Sequence, residues 1–374
     1  MAQRQLRSDD TSPFADRFGT GSDGALTISV DTTDATANTT ITGTSASTAA
    51  TVGSGTGFAN GNLVLIHQTQ GTGAGNWELN KLSSGGGTTL WTLAYTLTNT
   101  YATGAQVYLL KQYSSVTINS VKTLTAATWT GSVGGIVALL CNGTTTITGN
   151  ISANGIGFRG GAGRAGGNSG DQGEGNPGTG AVNAGSTAAN GNGGGPGTSN
   201  GGSGGGGGNG ASGSTGAGGV NAGIGGGTIG NAGLTSSTFG GGGGGGNDGS
   251  GGGNGANGGA QIFVFSKILT VSGSITANGA NGTGAARGGG GGGGGSVLVK
   301  GQVVTLGSSL LTASAGAGGV GSVSTGGAGG AGRIHADYSS SISGTTSPTL
   351  DSTQDGSLAE SERRCALRVS MNYQ

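Results

Sequence analysis

The chain has 374 residues, 95 of them glycine, and only 8% are charged, with fifteen basic residues balancing fifteen acidic ones. No Lys/Arg stripe is present to neutralise phosphates, so nucleic acid is not an expected partner. No run approaches the ~20 apolar residues of a membrane-spanning helix, and so much glycine leaves few side chains for catalysis, so neither a membrane span, an enzyme nor a cofactor is expected.

Residues 1–22 are polar, carry Arg4, Arg7, Asp9, Asp10, Asp16 and Arg17, and read as an extended attachment arm. They contain no apolar segment of the secretory type. Residues 23–124 read as a small β-domain. Ala25–Val30 and Trp91–Leu97 alternate apolar and polar residues with period two, and Gly61–His67 is a short apolar run between glycine turns. Trp77, Trp91 and four tyrosines, Tyr95, Tyr101, Tyr108 and Tyr113, fall in this stretch. Short strands with frequent turns and no helical periodicity point to a barrel or sandwich.

From residue 125 a repeat begins. Gly135-Ile-Val-Ala-Leu-Leu-Cys141 leads through Thr144–Thr148 to Gly149-Asn-Ile-Ser-Ala-Asn-Gly155, and Gly259-Ala-Gln-Ile-Phe-Val-Phe265 leads through Ile268–Val271 to Gly273-Ser-Ile-Thr-Ala-Asn-Gly279. In both, 14 positions separate the leading glycine from the second. Gly295–Lys300 with Leu311–Gly316 is a third copy, and Gly332–Tyr338 is a truncated fourth. Strand units too small to bury a core alone should stack on one another. The expected fold is therefore all-β. A small N-terminal barrel or sandwich (23–124) precedes a β-solenoid-like stack (125–348), and a polar tail (349–374) follows.

Glycine tracts interrupt the stack at 160–258 and 280–295. Such tracts form either a random coil or a bundle of threefold extended polyglycine II helices, with three residues per turn. Without Cβ atoms, neighbouring threads can approach closely enough for N–H···O=C bonds between them. Anchoring at both ends and a scarcity of proline favour the ordered bundle.

Chemical motifs are sparse. GxGxxG matches are frequent by chance and none opens a helix after a strand, and no Walker A lysine follows a glycine run. Gly243–Asp248 fits one copy of a calcium-binding glycine repeat that needs tandem copies. His67 and His335 are the only histidines; His335 and Asp337 read as a solvated strand face. Glu78, Asp171, Glu174, Asp248, Asp337 and Asp351 are scattered rather than paired, against a glycosidase. Cys141 and Cys365 read as unpaired thiols. Phe158 and Phe239 within glycine tracts are candidates for stacking on a receptor sugar, against the alternative of plugging the bundle onto the solenoid; Asn247 and Asp248 are further candidate surface contacts. Thr144–Thr146 with Thr148 hints at the regular threonine face of an ice- or glycan-binding module.

Gly19–Ile28, Phe58–Gly71, Gly155–Gly161, Gly329–Ile334 and Ser343–Pro348 resemble segments of glycine-rich bacteriophage tail fibre and bacterial surface proteins, over roughly residues 19–350. The resemblance implies a structural fibre or adhesin that carries polyglycine bundles and contacts a host-surface glycan or protein, located in the virion or on an extracellular surface. It also implies a homo-oligomer, either a closed trimer or a filament, joined to its assembly through the N-terminal arm. The other reading is a bacterial extracellular protein that self-assembles into surface filaments.

Overall fold

The computed structural model describes residues 17–166, 168–198 and 201–359. The body of the expected arm and most of the C-terminal tail, with Cys365, lie outside them. The fold is all-β. Its only helical turns among the described residues are two three-residue 3₁₀ turns, Gly219–Asn221 and Gly356–Leu358.

The chain opens with two short strands, β1 (Ala25–Ile28) and β2 (Thr32–Asp34). Six strands then close an antiparallel barrel: β3 (Asn38–Gly43), β4 (Ala49–Val52), β5 (Leu63–Gln68), β6 (Trp77–Ser84), β7 (Leu90–Leu93) and β8 (Ala105–Leu110), in the order β3-β4-β7-β6-β5-β8. Ile41, Val64, Ile66, Leu82, Trp91 and Val107 fill its interior. Leu63, Leu65, Tyr108 and Leu110 pack instead in the core it shares with the rest of the molecule. Strands β5 and β8 are buried along their whole length, which explains why they read as continuous apolar runs rather than alternations.

After the barrel come β9 (Gln112–Tyr113), β10 (Ser115–Ile118), β11 (Thr123–Ala126), β12 (Ile136–Ile147) and β13 (Asn150–Ser152). Among the described residues of the first glycine region, β14 (Arg164–Ala165) and β15 (Asn247–Asp248) are the one pair of strands, beside the isolated bridges Gly175–Gly178 and Asn190–Gly193. The chain finishes with β16 (Gln261–Val271), β17 (Ser274–Thr276), β18 (Ser296–Thr312), β19 (Arg333–Ser347) and β20 (Asp351–Gln354).

Apart from the barrel and the β14–β15 pair, these strands form one parallel sheet wound into a spiral. Each full rung has three faces. Face A holds β9, the first half of β12, and the matching parts of β16, β18 and β19, with β20 last. Face B holds β1, β10 and the second halves of β12, β16, β18 and β19. Face C holds β2, β11, β13, β17 and the ends of β18 and β19. Inward columns run in register, as in Val137–Ile262–Val297–Ile334 on face A and Leu124–Ile151–Ile275–Leu311 on face C.

The barrel is thus an insertion in the first turn of the spiral. The segment 23–124 expected as one small domain divides: residues 38–110 make the barrel, while β1, β2, β10 and β11 belong to the parallel stack. Four-residue alternating strands look alike in either setting, so sequence did not separate them.

The expected polyglycine II bundle does not appear as regular helix. The tracts are extended threads tied to one another by backbone hydrogen bonds. Thread 240–247 meets three neighbours in rotation. Gly240, Gly243 and Gly246 donate to Gly259, Ala256 and Gly253; Gly241, Gly244 and Asn247 to Gly208, Gly205 and Gly202; Gly242 and Gly245 to Glu174 and Asp171; all are 2.8–2.9 Å. The second tract joins the same body, since Gly290 donates to Gly244 and Gly293 to Gly241. A Cβ on Gly241 would lie 1.7 Å from the Asn192 carbonyl oxygen, and one on Gly290 1.9 Å from that of Gly205. Only glycine permits this approach.

Candidate contact surface and the clasp behind it

Each glycine thread runs between a base, at the C-to-A corner of the solenoid, and a tip. The base is aromatic. Phe158 and Phe239 are 0% exposed, and Trp129 meets them edge-on at centroid distances of 6.2 and 5.6 Å. Gly135 sits against the Phe239 ring, where a Cβ would come within 2.7 Å. Neither phenylalanine is available to a receptor sugar. Both plug the threads onto the solenoid, because a ring among glycines finds apolar partners only at that seam.

A polar clasp fixes the barrel to the same base. Glu174, 2% exposed, accepts from the Arg159 backbone N–H (2.9 Å), from Arg159 Nε (2.9 Å) and Nη2 (3.1 Å), and from Gln70 Nε2 of the barrel (2.9 Å). The buried charge is thereby paired and its lone pairs are occupied. His67 lies beside it, fully buried and stacked on Phe239 at 6.2 Å. Its Nε2 donates to the Ser237 carbonyl (2.9 Å), so Nδ1 of the neutral ring accepts from the Thr69 hydroxyl (2.8 Å), which in turn accepts from Gln106 Nε2. Burial pushes the imidazole down to about 4, only partly offset by the bond to Ser237. Trp77 Nε1 donates to the Leu234 carbonyl (2.8 Å), fastening the loop before Phe239 to the barrel.

At the tip the threads turn. Asp248 accepts from the Ser250 N–H (3.1 Å) and hydroxyl (3.0 Å), and Arg287 Nε pairs with its other oxygen (3.2 Å). The Ser250 contacts, then Arg287, hold its carboxyl below the usual range. Arg164 forms a two-bonded pair with Asp171, at 2.7 and 3.0 Å. Partial burial opposes the Asp171 charge, but Arg164 and the Asn183 N–H outweigh it and lower its carboxyl. Of the two polar candidates here, Asn247 is buried, its amide donating to the Asn168 carbonyl, whereas Asp248 is only partly covered. Between these pairs the turns expose apolar side chains: Val220 is 93%, Val320 79% and Val323 60% exposed. Sequence reasoning passed over Arg164, Arg287 and the valines. The signal was there: a charge or a valine inside a glycine tract has no core to join, so it stands at a turn or in a pair.

One further reading changes. His335 and Asp337 are not a solvated face; they are 3% and 6% exposed. His335 Nδ1 bonds Asp351 (2.7 Å), Nε2 bonds Asp337 (3.0 Å), and Lys300 pairs with the other Asp337 oxygen. Burial works against the Asp337 charge, but His335 and Lys300 prevail and lower its carboxyl. This chain of polar contacts ties β18, β19 and β20 together. Cys141 is a buried free thiol. Among the described residues no group of three or more His, Cys, Asp or Glu could hold a metal ion. No helix there is long and apolar enough to cross a membrane. No family model matches the chain, and no curated protein is significantly similar to it in sequence.

Proposed function

We propose that the chain is a non-enzymatic structural fibre or adhesin protein of the phage tail fibre kind, in which the glycine threads form a stiff polyglycine II body that carries a contact surface at its tip. The observation that supports this reading most is the threefold rotation of hydrogen bonds along residues 240–247. A thread that turns once every three residues presents successive amides to three neighbours. The rotation gives a body rigid without side chains, and leaves the turns free to vary.

In this reading the solenoid and barrel are the mount, the glycine body is the spacer, and the turns bearing Val220, Val320, Val323 and Asp248 touch a glycan or protein of a host surface. Exposed valines between ion pairs suit a partner that offers apolar patches beside polar groups. The arm of residues 1–22 serves attachment to the assembly, and the site of action is the virion or an extracellular surface.

The test is binding of labelled full-length protein to intact bacteria and to their extracted surface glycans. Val220→Asp with Val320→Asp should abolish binding while leaving the melting temperature unchanged. Undiminished binding by this variant, or no binding to any surface preparation, would remove the tip from the account.

A further inference from the structure

We infer that the two open ends of the solenoid are complementary halves of one rung, so that a second copy of this chain stacks on the first head to tail. Within every complete rung the chain passes from face A to B to C. The first described rung has only face B and face C strands, β1 and β2, and the last described strand, β20, lies on face A above β19. The spiral thus begins at B and leaves at A. The β1 and β2 of a second copy are the two strands missing beside β20. They would lie on residues 341–343 and 346–347, following β20, whose end would meet Asp23 where it borders β9 of the second copy.

Three observations make this fit specific to another copy. First, β1, β2, β20 and the second half of β19 each have a sheet neighbour on one side only, which leaves a row of backbone donors and acceptors for a parallel strand. Second, the core is uncapped at both ends. In the inward column of face B, Val116, Leu269 and Val304 are at most 1% exposed, whereas the end members Leu26 and Ile342 are only partly buried. Stacking would set Ile342 against Leu26. Third, the inward column of face C is apolar in the middle (Leu124, Ile151, Ile275, Leu311) but ends in Thr32 below and Thr346 above. In the stack the two threonines would face each other, each hydroxyl donating to its own chain, Thr32 to the Val30 carbonyl (2.8 Å) and Thr346 to the Pro348 carbonyl (2.6 Å).

The described chain leaves the face B and face C edges clear; on face A, Asp23 lies beside β9, where its N–H donates to the Gln112 carbonyl (2.9 Å). Before β1 it lies along the side of the stack, with Gly19 against Leu140 and Gly21 against Asn142. After β20 it turns down the same side, where Gln302 Nε2 donates to the Leu358 carbonyl (2.9 Å) and Arg17 reaches Ser357. The barrel also stands beside the stack, with Trp77 on Phe263 and Phe265. A contact between unlike ends does not close on itself, so the product is an open fibre. With one strand spacing of ~4.8 Å per rung and six rungs on face B, its repeat is about 29 Å. This inference stands apart from the proposed tip contact: either can fail alone.

The experiment is a disulfide trap in the full chain, with Thr27→Cys and Ser343→Cys. Within one molecule these outward residues lie five rungs apart, on the order of 24 Å, far beyond disulfide reach. In the stack they become neighbours on adjoining rungs. Mild oxidation should yield a ladder of covalent multimers that collapses on reduction, with a mapped 27–343 bond, and neither single variant should extend beyond dimers. Unmodified protein should show rods of rising length with concentration by electron microscopy. A monomer or a closed oligomer without the 27–343 bond would overturn the inference. So would a bond from either new cysteine to Cys365 of the same chain, which would place the tail on the edge instead of a second copy.

Discussion

The solenoid and the glycine body meet at one seam yet are held together by opposite means. In the solenoid, side chains such as Ile262, Val264 and Val297 fill the space between faces while Phe263 packs outward on the barrel, and burial of apolar surface stabilises the stack. In the glycine body the space between threads is too small for any side chain, and main-chain amides provide the cohesion. The lesson is that the two regions should respond to mutation with opposite sign rules. Removing atoms harms the first, and adding them harms the second.

The largest effect should come from the solenoid. Phe263→Ala empties a site that is 0% exposed and packed on Trp77, and should lower the unfolding free energy by about 3–5 kcal/mol in chemical denaturation. A loss below 1 kcal/mol would mean that the side-chain core is not what holds this region. The counterpart is Gly241→Ala, which forces a methyl group against the Asn192 carbonyl and should cost about 3 kcal/mol, seen as a lower melting temperature and faster exchange in threads 202–209 and 240–247. A neutral Gly241→Ala would show that the threads are not closely packed.

Next comes the seam. Glu174→Gln leaves Arg159 without its carboxylate; because Arg159 is 42% exposed, solvent moderates the loss to about 1–2 kcal/mol. Limited proteolysis between barrel and glycine body should become easier. Acid acts at the same place. The His67 ring is depressed to about 4 in the fold, against about 6.5 when unfolded, so the fold favours the neutral ring. Its stabilising contribution is complete above pH 6.5 and is lost as pH falls from there through 4. Hydrogen-exchange protection factors of residues 234–239, corrected for the intrinsic rate at each pH, should fall over that window, and His67→Gln should flatten the response. The smallest effect sharpens the comparison: nothing lies within 4 Å of a Cβ at Gly249, so Gly249→Ala should be neutral or stabilising by about 0.4–1 kcal/mol in thermal melts.

Much of the stack was legible because its period is carried by side chains. The 14-residue spacing from Gly135 to Gly149 and from Gly259 to Gly273 marks face A through face B of rungs that do pair in register. The barrel's existence was legible from its short strands and aromatics, but its borders were not. Nothing in Ala25–Ile28 tells that its partner is Ser115–Ile118, because parallel pairing across a 90-residue gap leaves no local mark. Alternation correctly placed His335 and Asp337 on the outward side of the strand; it could not say that β20 and the loop around Gly233 cover that side. The same limit applies at the candidate site. Phe158 and Phe239 were visible as anomalies in a glycine tract, but only the fold shows them facing Trp129 rather than solvent.

Hydrogen–deuterium exchange resolved to single amides in residues 202–209, 240–247 and 288–295 tests the central claim most directly. The account predicts protection there comparable to that of β16 and β18, because each thread's amides are bonded to its neighbours. Exchange at the rate of an unstructured chain, with β16 and β18 still protected, would contradict it.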